Sequence, residues 1–469
     1  MDESDAWARQ VQWPNARVIG VEMQSAYPKT GPDSFSDHLS VVLAQTTRAL
    51  TDSGYDALLL FSGTRKSVFR DDCHYSFKAS APFKALAPLT DAPDSFIYFK
   101  PGHKPQLIFH RDDDYWHQPA QLPDADWVHC FDVRIVSQRR AARAALPDNL
   151  SRAAFVGEPF SELTTFGVGA VNPEHLLTRL EYPRALKTGF ELGALRQANV
   201  LGARGHLAAA AAFSAGASEF EIELAFLRAS GLREQELPYN PIIALNSGAA
   251  VLHYQVLDRQ PPKIRHSLLI DAGAEYAGYA SDITRTYAAS GGDFANLIAA
   301  MEKLQLALCE QTRSGTDWRD IHLASYRAIG SLLVEAGILR CSAEEAESRG
   351  LTRIFYPHGI GHLLGLQVHD AGGLWADNNG QENARPEGHP FLRLTRKLEP
   401  GFVVTMEPGL YFIDALLAEA RADGRGKSID WARVESLKPF GGIRIEDNLA
   451  VQPEGPPENL TRNAFRAAA

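Results

Sequence analysis

The first part of the chain mixes helical and extended patterns of apolar residues. Residues 36–53 carry apolar side chains at helical spacing and stop before Gly54, which predicts an amphipathic helix with Ser36 as its N-cap. Three short apolar runs bounded by turn residues predict buried strands, at residues 56–61, 95–99 and 106–109. Because strands and helices alternate, we expect an α/β domain over residues 1–180.

The pattern changes after residue 182. Segments rich in alanine and leucine predict long helices at residues 189–215 and 218–231, and extended runs flank a further helical block near 293–340. This order predicts an α+β domain over residues 181–469. Single hydrophobic cores stop growing at roughly 250–300 residues, so the length of the chain also favours two domains.

Composition and charge narrow the class of protein. The chain is 45% hydrophobic and 22% charged with a net charge of −10, which is typical of a globular protein and argues against a nucleic-acid partner. Its cysteines are scattered, which argues against a cysteine metal or redox motif and predicts buried thiols in a reducing compartment. No basic, apolar leader follows Met1 and no apolar run has the ~20 residues of a membrane span, so we expect a cytoplasmic protein without a membrane partner.

Two aspartates flank a predicted hairpin. Asp271 ends the apolar run 267–270, and Asp282 follows eleven residues later at the start of a second strand. In a tight hairpin we expect the two side chains to lie opposite each other, with Cβ atoms about 4.5–5.5 Å apart. Opposed carboxylates in a dry site repel unless a cation lies between them. The alternative is a turn cap at Asp271 and a solvated strand residue at Asp282.

A glycine-rich segment at residues 356–370 carries three histidines, His358, His362 and His369. Neutral imidazole is a common ligand of divalent transition metals. The glycines argue against a plain helix and are typical of a backbone that passes close to a ligand or metal. For any one histidine, the alternative is a core or capping role.

Two glutamates follow apolar strands. Glu407 comes after residues 403–406, and Glu446 comes after 441–445 in a strand where Arg444 faces the same side. Burying a carboxylate is costly unless a metal ion or an ionic partner compensates its charge. If the ends of these separate strands converge, we therefore expect the two glutamates to line a metal pocket. The alternative for each glutamate is half of a structural salt bridge.

Together these segments resemble the prolidase branch of the pita-bread metallopeptidases, over residues 181–455 and in the family order. The stretches at 249–254 and 438–442 are similar to the bacterial prolidases that include the organophosphorus acid anhydrolases. The first domain matches more loosely, best at 69–72. The resemblance implies a creatinase-like α/β domain over 1–180 and an α+β pita-bread (creatinase/aminopeptidase-like) catalytic domain over 181–469.

The resemblance also implies a dinuclear site with two divalent metal ions per subunit. The ligands that it implies are Asp271, Asp282, His362, Glu407 and Glu446. The choice of His362 over His358 follows the family pattern, in which the ligand precedes a second histidine, here His369, by seven residues. Four carboxylates and one imidazole favour Mn²⁺, with Co²⁺ or Zn²⁺ as alternatives.

The remaining implied site residues contact substrate. The resemblance implies that His253 and His369 bind the substrate carbonyl. We expect His253 or His369, together with a metal, to stabilise the oxyanion, and Glu407 to transfer a proton. Arg393 binds the proline carboxylate and Arg444 is a further substrate-binding residue. The implied activity is hydrolysis of Xaa-Pro dipeptides with release of free proline by a homodimer, with side activity on organophosphorus triesters and fluorides.

One departure concerns the first domain. Relatives carry Asn-Pro and a tryptophan where this chain has Ser80, Ala81 and Leu86, which affects the expected substrate preference. Three alternatives stay open on sequence alone. They are an organophosphate hydrolase with the same site, an aminopeptidase for longer peptides that begin Xaa-Pro, and a metal-free pita-bread module that only binds partners.

Overall fold

A computed structural model describes residues 33–116 and 118–468. The segment after Met1 that predicts a cytoplasmic location, and the first 32 residues of the predicted 1–180 domain, lie outside the described residues. Among the residues described, no helix has both the length and the apolar character that crossing a membrane requires.

The first domain is built on a mixed six-stranded sheet. Its helices and strands are Phe35–Ser53 (α1), Ala57–Phe61 (β1), Ala81–Leu86 (α2), Phe96–Phe99 (β2), Gln106–His110 (β3), Asp132–Val136 (β4), Ala153–Val156 (β5), Ala170–Val171 (β6) and Glu174–Glu181 (α3). The strand order is β4-β3-β2-β1-β5-β6, with β1 antiparallel to β2 and parallel to β5. The predicted α/β class and the three predicted strands are confirmed. The predicted domain boundary at residue 180 falls in the last turn of α3 and stays a prediction.

The first helix begins earlier than predicted. The N-cap is Ser34 and not Ser36, because the Ser34 hydroxyl accepts a hydrogen bond from the Asp37 amide at 3.2 Å. Phe35 is already helical and buried, and its ring packs edge-on against Phe190 at a centroid distance of 5.3 Å. Packing of this aromatic residue therefore fixes where the chain enters the helix. The helix ends at Gly54, as predicted, with a left-handed φ of 77°.

The second half of the chain contains short sheets with helices packed around them. Its elements are Gly189–Ala215 (α4), Glu219–Ser230 (α5), Ile242–Leu245 (β7), Ser267–Asp271 (β8), Glu275–Tyr276 (β9), Tyr279–Ala280 (β10), Thr284–Ala288 (β11), Asp293–Cys309 (α6), Trp318–Glu335 (α7), Ala343–Ser348 (α8), Thr352–Phe355 (α9), Val403–Met406 (β12), Gly409–Tyr411 (β13), Asp414–Ala422 (α10), Trp431–Leu437 (α11), Gly442–Arg444 (β14), Asp447–Ala450 (β15), Glu458–Asn459 (β16) and Leu460–Ala468 (α12). Strands β11, β8 and β7 form one antiparallel sheet, and β12, β15 and β16 form another. The predicted α+β class is confirmed.

The two long predicted helices, α4 and α5, are present. Each begins with a capping box, formed by Thr188 with Glu191 and by Ser218 with Glu221. Helix α4 runs along the back of the sheet that carries Asp271, and its His206 imidazole hydrogen-bonds the Ala272 carbonyl at 2.9 Å. The long helix thus anchors the strand end from which the first aspartate projects.

The register of the aspartate hairpin differs from the prediction. Asp271 pairs with Thr284, so Asp271 and Asp282 are not directly opposite. The turn is centred between Ala277 and Gly278, which have φ values of 51° and 88°. This centre lies one residue later than the midpoint between the two aspartates. Such paired left-handed residues form a type I′ turn, whose twist matches the flanking strands. The turn geometry therefore shifts the pairing by two positions.

The cysteines are less buried than predicted. All four are free thiols, but only Cys309 is buried, while Cys73 is exposed and Cys130 and Cys341 are intermediate. Exposure of Cys73 follows from its place in a surface hairpin closed by the Ser67–His74 bridge.

Candidate metal centre

The strand ends of the second half of the chain converge on one large cavity of about 1270 Å³. All the predicted site residues line it, namely His253, Asp271, Asp282, His362, His369, Arg393, Glu407, Arg444 and Glu446. The first domain closes one side with Lys78, Ala79, Ala81 and Lys84. The separate motifs of the sequence therefore meet at a single site, although their individual roles stay predictions.

Asp271 and Asp282 are linked by a tyrosine. The Tyr239 hydroxyl lies 2.7 Å from Asp271 Oδ1 and 2.7 Å from Asp282 Oδ1. Both carboxylates are buried, with exposures of 9% and 6%. The single hydroxyl proton serves one carboxylate at a time, so the cluster holds more acceptors than donors.

His362 points its Nε2 atom at carboxylates. Its Nδ1 lies 2.9 Å from the Leu363 carbonyl, to which it donates. Nε2 is 3.4 Å from Asp282 Oδ2 and 3.6 Å from Glu407 Oε1. With Nδ1 carrying the proton, Nε2 and the two carboxylates are all acceptors, so a proton or a cation must lie between them.

The two glutamates approach from different strands. Glu446 lies between β14 and β15, is 2% exposed, and accepts a hydrogen bond from the Thr284 hydroxyl at 2.7 Å. Glu407 follows β12, lines the cavity, and has a side chain that is 18% exposed. Asp282, His362 and Glu446 each offer one ligand atom, and these three atoms lie within 4.8 Å of one another.

The acid–base properties of the cluster reflect its burial and its crowding. Burial raises the pKa of Glu407 to about 7 and raises the pKa of Glu446 well above its usual value, with the nearby carboxylates adding to both effects. Burial also raises the pKa of Asp271, although Arg444 opposes this. For Asp282, burial is outweighed by His362 and Tyr239, which hold its pKa below the usual range. The pKa of His362 is raised, because the nearby Asp282 and Glu407 carboxylates outweigh the lowering effect of burial.

The donor set fits divalent metal ions. Four carboxylates and one imidazole nitrogen converge, and the surplus of acceptors leaves a place that only positive charge satisfies. Oxygen-rich sets with one imidazole are typical of hard or borderline cations. Asp271, Asp282, His362, Glu407 and Glu446 are the residues that could hold them.

Arg444 is engaged by the protein itself. Its guanidinium donates to Asp271 Oδ2 at 2.5 Å, to the Tyr411 hydroxyl at 3.0 Å and to the Thr284 hydroxyl at 3.2 Å. The residue is 5% exposed. These contacts fix the orientation of Asp271, whereas the predicted role of Arg444 in binding substrate stays a prediction.

The other predicted substrate-contacting residues are exposed to the cavity. Within residues 33–116 and 118–468, the side chains of Arg393 and His253 have neither a hydrogen-bond nor an ion-pair partner. His369 packs its ring edge-on against His362 at a centroid distance of 4.3 Å. Partial burial lowers the pKa of His369 to about 3, and the nearby His362 and Arg393 add to this effect, which favours a neutral imidazole at pH 7.

Tyr239 was missed by the sequence reasoning. It lies in a Pro-Tyr-Asn-Pro turn that leads into β7, and β7 pairs with β8 so that Ile242 is opposite Asp271. The sequence feature that could have identified it is a tyrosine between two prolines, just before an apolar strand. Sequence alone does not show that β7 and β8 are neighbours.

Gly361 lines the cavity and also approaches the protein closely, because a Cβ there would lie 2.1 Å from the Thr405 carbonyl oxygen. The expected approach of this backbone to a ligand or metal stays a prediction. Leu86 is buried in the core of the first domain and does not line the cavity, whereas Ala81 does. Within this subunit, Ala81 and Lys84 are the residues of the 80–86 segment that line the cavity. The effect of the segment on substrate preference stays a prediction.

The fold and the cluster define a two-domain metal-dependent hydrolase, and the comparisons give its family. Residues 193–453 match the model of metallopeptidase family M24, and residues 33–182 match the Xaa-Pro dipeptidase N-terminal domain. The chain belongs to metallopeptidase family M24, in its prolidase branch. The predicted enzyme class and pita-bread fold are thereby confirmed.

Relatives and solved structures agree with this assignment. The chain is 47% identical to an Xaa-Pro dipeptidase of Stenotrophomonas maltophilia strain K279a, over 92% of this chain and 98% of the relative. It is 48% identical, with the same coverage, to an Xaa-Pro dipeptidase of Xanthomonas axonopodis pv. citri. A zinc-substituted Escherichia coli aminopeptidase P in complex with product has a similar fold, with a TM-score of 0.69, 21% identity and coverage of 92% and 99%.

Proposed function

We propose that the protein hydrolyses Xaa-Pro dipeptides and releases free proline, using two divalent metal ions. The observation that carries the proposal is one cavity in which an acidic cluster with one imidazole faces an arginine without a protein partner among the described residues. The acidic cluster provides the metal chemistry, and the arginine provides a contact for a free carboxylate. Relatives of nearly full-length similarity are Xaa-Pro dipeptidases, which supports the same substrate class.

The five proposed ligands are Asp271, Asp282, His362, Glu407 and Glu446. When bound, two metal ions in such a site supply a nucleophile at neutral pH and polarise the scissile carbonyl. We propose Mn²⁺ as the ion because four of the five ligands are hard carboxylates, with Co²⁺ or Zn²⁺ as alternatives.

The protein side chains bind and orient the dipeptide. Arg393 pairs with the proline carboxylate through its planar guanidinium, which gives a dipeptide a fixed end and makes a longer peptide clash. His253 and His369 hydrogen-bond the substrate carbonyl oxygen as it gains charge. Glu407 accepts a proton from the attacking water on its carboxylate and passes it to the proline nitrogen, which leaves as a neutral amine.

The direct test is hydrolysis of Ala-Pro and Leu-Pro by chelator-treated protein, with and without added Mn²⁺. We expect release of free proline only when metal is restored. No release by folded, metal-loaded protein contradicts the dipeptidase assignment.

The same assay ranks the rival substrates. Fold similarity to an aminopeptidase P, together with a cavity far larger than a dipeptide, makes a peptide beginning Xaa-Pro the main rival. If Ala-Pro-Gly is cleaved as fast as Ala-Pro, the result would favour an aminopeptidase for longer peptides over a dipeptidase in which Arg393 binds the proline carboxylate. Activity on organophosphorus triesters and fluorides, a homodimer and a cytoplasmic location stay predictions.

A further inference from the structure

A buried aspartate next to Glu446 collects hydrogen bonds from four parts of the chain. Asp447 is fully buried, and its carboxylate accepts from Arg285 at 2.6 Å, Gln305 at 3.0 Å, Asn459 at 2.9 Å and Arg462 at 2.7 Å. Because it follows Glu446 directly, its position fixes the backbone from which that proposed ligand projects. Arg285 joins the two residues, since it also donates to the Glu446 carbonyl at 2.7 Å.

A second set of bonds connects the same region to Asp282. The Asp282 amide donates to Asn448 Oδ1 at 3.0 Å, and the Asn448 side-chain amide donates back to the Asp282 carbonyl. The Asn448 backbone amide in turn donates to the Thr461 hydroxyl at 2.9 Å. That hydroxyl donates to Asn199 Oδ1 of α4 at 2.7 Å, and each of these polar groups is buried.

Both sets of bonds end on the C-terminal helix α12. Thr461 and Arg462 are neighbours on its first turn, one directed to the Asn448–Asp282 contact and the other to Asp447. Arg462 also pairs with Glu302 of α6 and reaches Gln305 at 3.3 Å, so it connects α12, α6 and β15. None of the five proposed metal ligands lies on this helix.

We propose that the C-terminal helix positions the metal ligands Asp282 and Glu446, through Thr461 and Arg462 respectively. Both are positioning residues that do not line the cavity. The inference rests on the proposed ligand set and adds a determinant of metal affinity some fifteen residues beyond the last ligand. Groups that hold metal ligands in place typically change affinity by about 10–100-fold when removed.

The test is a titration of chelator-treated, full-length protein with Mn²⁺, followed by the electron paramagnetic resonance signal of the free ion. Arg462→Met should raise the dissociation constant for Mn²⁺ by about 10–100-fold. Arg462→Lys should recover part of the affinity, because it keeps the charge beside Asp447 but loses the planar fork. The matched control is Arg466→Met, since Arg466 lies four residues along the same helix, is exposed, and contacts only Asn463 at 3.4 Å among the described residues.

The Thr461 arm is tested in the same way. Thr461→Val removes the hydroxyl with little change in shape and should weaken Mn²⁺ binding, whereas Thr461→Ser keeps the hydroxyl and should bind as wild type does. At saturating Mn²⁺, KM for Ala-Pro should stay at the wild-type value in every variant. A merely structural role would lower the melting temperature and leave Mn²⁺ affinity unchanged in the folded variants.

Unchanged Mn²⁺ affinity in folded Arg462→Met and Thr461→Val protein overturns the proposal. If Arg462→Met does not fold, Arg462→Lys and Thr461→Val decide it. The Mn²⁺ titration needs no substrate, so its result does not depend on the hydrolysis assay. A wild-type protein that releases no proline would contradict the proposed function, but the titration would still test the role of the C-terminal helix.

Discussion

Two walls of the same cavity differ in how their polar groups are held. On the ligand wall, Asp271, Asp282 and Glu446 are buried and already hydrogen-bonded to Tyr239, Arg444 or Thr284. On another part of the lining, the exposed wall, Arg393 and His253 are exposed, and no described residue pairs with their side chains. The protein therefore fixes one set before anything binds and leaves the other free to contact a ligand.

This difference follows from the charge of each set. Clustered carboxylates repel and are costly to bury, so they need donors and positive charge from the surrounding protein to stay in place. An exposed arginine remains hydrated and costs little until a substrate carboxylate replaces its water. Each wall can thus be perturbed separately, and the expected effects differ in kind.

The largest expected effect concerns the stability of the ligand wall without metal. Burial raises the pKa of Glu407 to about 7 from an unfolded value of 4.5. A raised pKa stabilises the folded state below pH 4.5, and that stabilisation is lost as pH rises through 7. This single group contributes about 3 kcal/mol across the window. About 2 kcal/mol of that contribution is lost between pH 5.5 and pH 7.5, so chelator-treated protein should melt a few degrees higher at pH 5.5.

Glu407→Gln provides the control for this trend, because its side chain carries no titrating proton. The variant should show a smaller difference in melting temperature between the two pH values. Added Mn²⁺ should stabilise the wild-type protein more at pH 7.5, where the ligands are ionised. A metal-free melting temperature that is flat or rises with pH contradicts the crowded, buried cluster.

The next effect tests the exposed wall. Arg393→Met should raise KM for Ala-Pro with little change in kcat, since it removes a charge-assisted contact worth about 1.5–3 kcal/mol, roughly 10–150-fold. Lys397→Met is the matched control, because Lys397 is an exposed cation on the same segment that does not line the cavity. The amide of Ala-Pro lacks the carboxylate, so its hydrolysis should respond little to either variant. A wild-type KM in Arg393→Met protein would contradict the proposed contact between Arg393 and the proline carboxylate.

Sequence patterns predicted the two fold classes, the main helices and the set of residues that meet at the cavity. They succeeded because each proposed carboxylate ligand lies at or beside the end of an apolar strand, and such ends are recognisable without knowing how strands pair. They failed at the register of Asp271 with Thr284, where the turn at Ala277 and Gly278 decides the pairing. A shift of that size leaves the apolar pattern on the same face, so the pattern carries no record of it.

The roles of Tyr239 and Arg444 depend on contacts between distant segments. The sequence predicts that Arg444 binds substrate. Its contacts with Asp271, Tyr411 and Thr284 depend on how β14 packs against β8, β11 and β13. Tyr239 has no motif of its own and becomes visible only when β7 lies beside β8. Long-range packing, and not local propensity, places both residues.

The smallest effect isolates the tyrosine that links the two aspartates. Tyr239 Oη lies 2.7 Å from an oxygen of each aspartate, but its one proton stabilises a single carboxylate at a time. Its net contribution is therefore that of one hydrogen bond, about 1 kcal/mol, and Tyr239→Phe should weaken Mn²⁺ binding by roughly fivefold. Tyr254→Phe is the control, because that hydroxyl bonds Glu219 at 2.9 Å and does not line the cavity. Unchanged Mn²⁺ affinity in Tyr239→Phe protein would show that the other contacts of the two aspartates orient them without the tyrosine.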